Sequence, residues 1–211
     1  MSKSNFLFCS VRLKLKRMLK QSFIRLERDF FYRPVTHVAR DLLGTLLVHE
    51  SCIGQIVETE AYHESEAACH AWQGRRSARN LSMFAEPGTL YIYRIHQVFC
   101  LNISAEASDI GAAVLIRALE PLAGLAQLQA RRPQAKNRAE LLNGPGKICQ
   151  AFEIDRRFDG QSICAPDTKI YLLKGYPYPD SAVENTPRIG ISKEKERLWR
   201  FWVPPQERKI P

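Results

Sequence analysis

Residues 52–62 read CIGQIVETEAY. In an extended chain alternate side chains point to opposite faces, so Glu58, Glu60 and Tyr62 share one face while Val57, Thr59 and Ala61 share the other. Neighbours on one face lie roughly 6.5 Å apart along the strand, close enough for the two carboxylates and the phenol to meet one ligand. Three further strand-like stretches follow: GTLYIYRI (88–95), VFCLNIS (98–104) and AAVLIRAL (112–119). The last three succeed one another through turns too short for crossover helices, which predicts antiparallel pairing. Ahead of them, THVARDLLGTLLV (36–48) predicts a short helix capped by Thr36, broken near Gly44 and followed by a strand. Helical patterning recurs at 122–132 and 146–153, around the basic connection RRPQAKNR, and short strands are expected at 169–173 and 188–191. The fold class is therefore α+β, with a mostly antiparallel sheet and peripheral helices.

At 211 residues the chain suits one domain, and its 45% hydrophobic and 25% charged composition is that of an ordinary globular protein. Its charge is less ordinary: 31 Lys and Arg against 22 Asp and Glu give +9, a field that favours a polyanionic partner. Six cysteines, at 9, 52, 69, 100, 149 and 164, form no CxxC pair and suit reduced thiols better than a disulfide scaffold. The opening FLFCSV is too short and too soon followed by charge to be a signal core, and no 18-residue apolar run predicts a membrane span. Residues 10–29 place Val11, Leu15, Met18, Leu19, Phe23 and Leu26 at helical spacing among Lys and Arg, a basic amphipathic helix. The expected organisation is a basic arm over 1–26, a domain over 27–205 and a tail over 206–211.

The segment from Glu58 to Gly74 carries four glutamates, His63, His70, Cys69 and Tyr62. A solvated sheet edge would account for the carboxylates. The zincin pattern fails because Ala67 stands where the second histidine is needed, and the deaminase pattern lacks its cysteine pair. His63, His70 and Glu60 could still converge on a metal in three dimensions. No GxSxG elbow exists, and NGPGKI (143–148) lacks the phosphate-loop spacing, although its amides could hold one phosphate at a helix start near Lys147. The remaining chemistry is a carboxylate acting as general base on water, with a basic surround. Tyr62, Trp72, Tyr91, Tyr93 and His96 could stack on a planar substrate, and Arg75, Arg76, Arg79, Arg94, Arg131 and Arg132 could face phosphates. A pocket for an extruded base, a carbohydrate or small-nucleotide hydrolase, and a non-enzymatic nucleic-acid binder all fit this set.

Eight segments in order, ARDLLGTLLV, IVETEAY, ACHA, MFAEPGTLYIY, CLNIS, VLIRALEPLAG, LLNGPGKICQAFEI and RIGI, resemble the 3-methyladenine DNA glycosylase family of the alkyladenine glycosylase type, from about residue 30 to about 203. The resemblance implies a single mixed domain with a curved, mostly antiparallel sheet. It implies that the protein flips a damaged nucleotide out of double-stranded DNA and hydrolyses the bond between an alkylated purine, 3-methyladenine first, and its deoxyribose. In this sequence Glu60 would activate the water, with Arg117 and the carbonyl of Ile189 helping to hold it. Tyr62, His70 and Tyr93 would enclose the base, with Asn102 and Leu115 lining the pocket and Asn102 disfavouring the guanine amino group. The segment RIHQVFC is one residue shorter than in better-known members. It puts His96 where they carry an inserting tyrosine, with Gln97 or Val98 as neighbouring wedges and Arg94 and Lys147 toward the backbone. No metal or cofactor is expected. The chain is expected to act as a monomer in the cytoplasm, at the nucleoid if its source is bacterial. Two other outcomes fit the shorter segment: a relative preferring hypoxanthine or another lesion, and a non-catalytic binder of distorted DNA.

Overall fold

The computed structural model describes residues 24–208. Most of the basic helix expected over 10–29 lies outside these residues, as does the end of the tail. The remainder of that helix is corrected: residues 24–27 are extended, with Arg25 bridged to Leu173, and a four-residue helix, α1 (Arg28–Phe31), comes after.

A second helix, α2 (Val35–Asp41), begins after Pro34 rather than at Thr36. The fixed φ of proline places Pro34 just ahead of the helix, where its carbonyl accepts the amides of His37 and Val38. The cap comes from far along the chain, because Glu106 Oε1 accepts the Val35 amide at 2.8 Å. The chain then turns at Gly44, whose φ of +91° and closeness to the Tyr176 carbonyl admit no side chain.

Eight strands follow: β1 (Leu46–His49), β2 (Cys52–His63), β3 (Leu90–Ile95), β4 (Val98–Ser104), β5 (Ala112–Ala123), β6 (Ile170–Leu173), β7 (Glu184–Thr186) and β8 (Arg200–Trp202). Their pairings are antiparallel and the sheet is open, in the order β3-β4-β5-β2-β1-β6. β2 is the spine. One edge pairs along its length with β5, while the other pairs first with β1 and then, from Glu58 to Glu60, with β8, which in turn carries β7. The strand expected at 188–191 does not form; that segment links β7 to β8 as a loop, and Gly190 with φ +80° interrupts any extended run. The helix expected over 122–132 is shorter, because β5 continues through Ala123 and only Gly124, in the left-handed region, releases the chain into α3 (Leu125–Arg131). The helix near 146–153 forms as α4 (Pro145–Phe152), with proline in its first turn.

Alternation along the strands separates two apolar groups. Leu90, Ile92, Leu101, Val114 and Ile116 join Val38, Leu42 and Phe152 in the main core beneath the helices. Tyr91 and Ala113, from the opposite faces of β3 and β5, join Cys69, Ala71, Met83 and Phe84 in a smaller cluster against which Tyr62 and Tyr93 pack. The smaller cluster is the floor of the site.

Candidate active site

One row of paired residues crosses the sheet: Tyr91 of β3, Asn102 of β4, Leu115 of β5, Glu60 of β2 and Arg200 of β8. Directly opposed residues in an antiparallel sheet project to the same face, so five strands present their side chains side by side. Above the row lies a cavity of about 440 Å³ lined by Tyr62, His70, Tyr91, Tyr93, Asn102, Leu115, Arg117 and Ile189, among others. Its size is that of a small-molecule site.

Glu60 is fully buried, so the solvated-edge reading of its face is set aside. Three groups address its carboxylate: the Tyr62 hydroxyl donates to Oε2 at 2.8 Å, the Ile189 amide to Oε1 at 2.7 Å, and Arg117 approaches at 3.4 Å. Burial pushes the Glu60 carboxyl above the usual carboxylate range, against the pull of Arg117 and of the two hydrogen bonds. Ile189, whose carbonyl was expected to help hold the water, reaches the Glu60 carboxylate through its N–H. Burial works against the charge on Arg117, but Glu60 and Glu58 outweigh it and raise the guanidinium further.

Arg117 owes its aim to an irregularity. Glu58 pairs with Ala118 and Thr59 with Ile116, leaving Arg117 as the extra residue of a bulge on β5. Bulges beside sites redirect side chains in this way. Its Nε donates to Glu58 Oε1 at 2.8 Å, and Arg200 Nε donates to the same oxygen at 2.7 Å. Glu58 therefore lies beside Glu60, as the alternation required, but is engaged by two guanidiniums.

Tyr62, His70, Tyr91 and Tyr93 all line the cavity. His70 and Tyr93 meet edge to face with centroids 4.8 Å apart, and His70 Nδ1 lies 2.9 Å from the Tyr91 hydroxyl. Burial of the ring, then the nearby Arg79 charge, hold His70 below the usual imidazole range. Burial raises the Tyr62, Tyr91 and Tyr93 hydroxyls, so they remain protonated donors. Asn102 spends its Nδ2 on the carbonyls of Tyr91 at 3.0 Å and Cys100 at 3.3 Å. The Cys69 thiol, pushed up to about 12 mainly by burial, remains protonated. His63 does not join His70; it pairs with Ser65 and Glu106.

His96 and Gln97 form the exposed two-residue turn between β3 and β4, His96 with φ +51°, flanked by exposed Ile95 and Val98. Val98 packs on Gly146 so closely that a Cβ there would come within 2.8 Å of its methyl. The glycine in NGPGKI thus makes room for the hairpin, and Lys147 is held by Asn143 Oδ1 at 2.7 Å. Arg75, Arg79 and Arg94 are exposed, Arg79 over the Tyr93 ring of the cavity wall and Arg75 over Trp72, and Arg76 is paired with Asp109. Arg131 and Arg132 are not part of this rim: Arg131 clasps Glu50 and Glu153, and the buried Arg132 bonds Gln150. Among the described residues no group of three or more His, Cys, Asp or Glu side chains is arranged to hold a metal ion, and no helix is long and apolar enough to cross a membrane.

Sequence reasoning missed Arg188 and Glu66. Both side chains are fully buried and form a bidentate pair, NH1 to Oε1 at 2.7 Å and NH2 to Oε2 at 2.8 Å. Nothing in their spacing of 122 residues reveals the pair. The only local signal was the arginine that opens RIGI ahead of its apolar residues.

A model of the methylpurine-DNA glycosylase family matches residues 29–207. Among similar proteins, each named "Putative 3-methyladenine DNA glycosylase", that of Salinibacter ruber is 42% identical over 193 residues, covering 84% of this chain and 92% of its own. The one from Prosthecochloris aestuarii is 43% identical over 186 residues, covering 85% and 88%. That of Methanocella arvoryzae is 44% identical over 186 residues, covering 84% and 91%.

Proposed function

Since the chain belongs to the methylpurine-DNA glycosylase family, we propose that it excises alkylated purines, 3-methyladenine first, from duplex DNA by flipping the nucleotide into the cavity. The observation that carries this reading is the buried Glu60 carboxylate set beside aromatic walls and held by Tyr62, Arg117 and the Ile189 amide.

In this reading Glu60 takes a proton from water as the water oxygen forms a bond to C1′ of the deoxyribose. The C1′–N9 bond breaks, its electron pair goes to the base, and the products are an abasic site and free purine. A purine alkylated at N3 or N7 carries positive charge before cleavage and leaves neutral, so the demand on the protein is mainly orientation and one proton acceptor. The electron-rich faces of Tyr62 and Tyr93 favour such a cation. An uncharged His70 closes the third side without repelling it. Arg117 balances the charge on Glu60 while Glu58 holds its Nε. Arg75, Arg79 and Arg94 supply phosphate contacts around the mouth.

The test presents the protein with duplexes carrying a single 3-methyladenine, 7-methylguanine, hypoxanthine or ethenoadenine and measures released base and abasic sites. Release of the alkylated bases by the unmodified chain, lost in Glu60→Gln, is expected. Tight binding to every lesion with no release would leave only a binder of distorted DNA, and hypoxanthine released fastest would replace the proposed preference.

A further inference from the structure

Arg188 does not line the cavity, yet it contacts residues that do or that flank them. Besides Glu66, its NH1 donates to the carbonyl of Ala61 at 2.9 Å. Ala61 lies between Glu60 and Tyr62 on β2. The guanidinium carbon stands 4.6 Å from the centroid of the Tyr62 ring, and because Tyr62 lines the cavity while Arg188 does not, the arginine supports the ring from behind. The next residue, Ile189, gives its amide to Glu60. Arg188 Nε finds no hydrogen-bond partner among the described residues, so its hydrogen bonds to protein groups run through the two terminal nitrogens.

Resting on the glycosylase reading, we infer that the Arg188–Glu66 pair is a positioning device for the reaction: it sets where Tyr62 stands and delivers the Ile189 N–H to Glu60. The pair ties together three segments around Glu60 and Tyr62. Glu66 belongs to the turn after β2, Ala61 to the strand, and Arg188 to the start of the loop that walls the cavity from Ile189 to Lys193. A guanidinium fork bound to both carboxylate oxygens has one orientation, which a single-point cation would not have. Turning the fork moves the Ile189 amide, and with it one of the two hydrogen bonds that hold the Glu60 carboxylate facing the cavity.

Two charge-conserving variants separate position from charge. Arg188→Lys keeps the cation and loses the fork, and Glu66→Asp keeps the anion and withdraws it by one methylene. The groups facing Glu60 are Glu58 and Tyr62 from its own strand, Arg117 from β5, Arg200 from β8, and Arg188 with Ile189 from the loop. All keep their charge state in both variants. The measurement is single-turnover base release across pH, with lesion binding followed separately, on whichever of the four lesion duplexes the unmodified protein cleaves fastest. Both variants should lose release by roughly 10²-fold, the cost of misplacing a reacting group by about 1 Å. Binding should change far less, and the acidic limb of the rate should move to higher pH as Glu60 loses the Ile189 N–H. A rate and limb equal to those of the unmodified protein, with only a lowered melting temperature, would make the pair a fold support and overturn the inference. In the unmodified protein the Ile189 amide, followed by NMR, should exchange slowly and titrate with the rate's acidic limb. A freely exchanging amide would overturn the inference with no variant needed. If the unmodified protein releases none of the four bases, the glycosylase reading falls and this inference falls with it, an outcome distinct from release that the variants leave untouched.

Discussion

Tyr62 donates its hydroxyl to Glu60 Oε2 at 2.8 Å, so the ring that walls the cavity and the carboxylate beneath it hold each other in place. Under the proposed function, a planar guest that displaces the ring also disturbs Glu60, which joins recognition to chemistry.

Glu60→Gln is expected to reduce single-turnover release by about 10²–10⁴-fold, the usual contribution of a general base, while lesion binding stays within a few-fold. Glu58→Gln is the comparison. Because Glu58 acts through Arg117, its replacement should cost less and leave a measurable rate. Complete loss in Glu58→Gln with near-normal release by Glu60→Gln would exchange the two roles.

The rate should fall on the acid side at a pH above the ordinary carboxylate range of about 4.3. The sign follows from the base form being the active one: burial raises the Glu60 carboxyl, so protonation, and with it loss of rate, sets in earlier as pH is lowered. A single-turnover pH profile checks this. An acidic limb below the ordinary range would mean that Arg117 and the hydrogen bonds outweigh burial.

Gly146→Ala should displace the β3–β4 hairpin, because its new Cβ would crowd Val98. Lesion capture should weaken while release from captured DNA is preserved, and His96→Ala should act in the same direction by removing a ring worth on the order of 1–3 kcal/mol in base stacking. A fluorescent base beside the lesion reports extrusion. If His96→Ala leaves extrusion unchanged but Gly146→Ala lowers it, the wedge is another exposed group of the hairpin, Gln97, Val98 or Ile95.

DNA affinity should fall steeply with salt. Each phosphate contact contributes about 0.9 to the slope of log K against log salt on duplex DNA. Arg94→Ala and Arg75→Ala should each flatten the slope by about that amount, whereas Arg131→Ala, whose guanidinium is held by Glu50 and Glu153, should not. Titrations at several salt concentrations decide between the two groups.

The strands from 52 to 119 were legible because their hydrophobic alternation is local, and so was the common face of Glu58, Glu60 and Tyr62. Residues that owe their place to distant partners were not. Arg117 lies on the expected strand, but its aim depends on a bulge that exists only once β5 is paired with β2. Thr36 had the right chemistry for a cap, yet Pro34 began the helix and Glu106 capped it from 71 residues away. RIGI has the composition of a strand. It is a loop in which the Arg188 side chain is engaged by Glu66, the Ile189 amide is spent on Glu60 and Gly190 has a positive φ.

The cross-sheet row from Tyr91 to Arg200 has a consequence for how the protein tolerates change. Backbone amides in the middle of a paired sheet open only with the whole domain, while loops open at little cost. Glu60, Leu115 and Asn102 sit in the former, with the Ile189 amide bound to Glu60; the Gly190–Lys193 wall and the His96 turn belong to the latter. Warming, or sequence drift in the wall and the turn, should therefore alter which base is admitted well before it disarms the carboxylate, so that lesion preference is the more easily diversified trait.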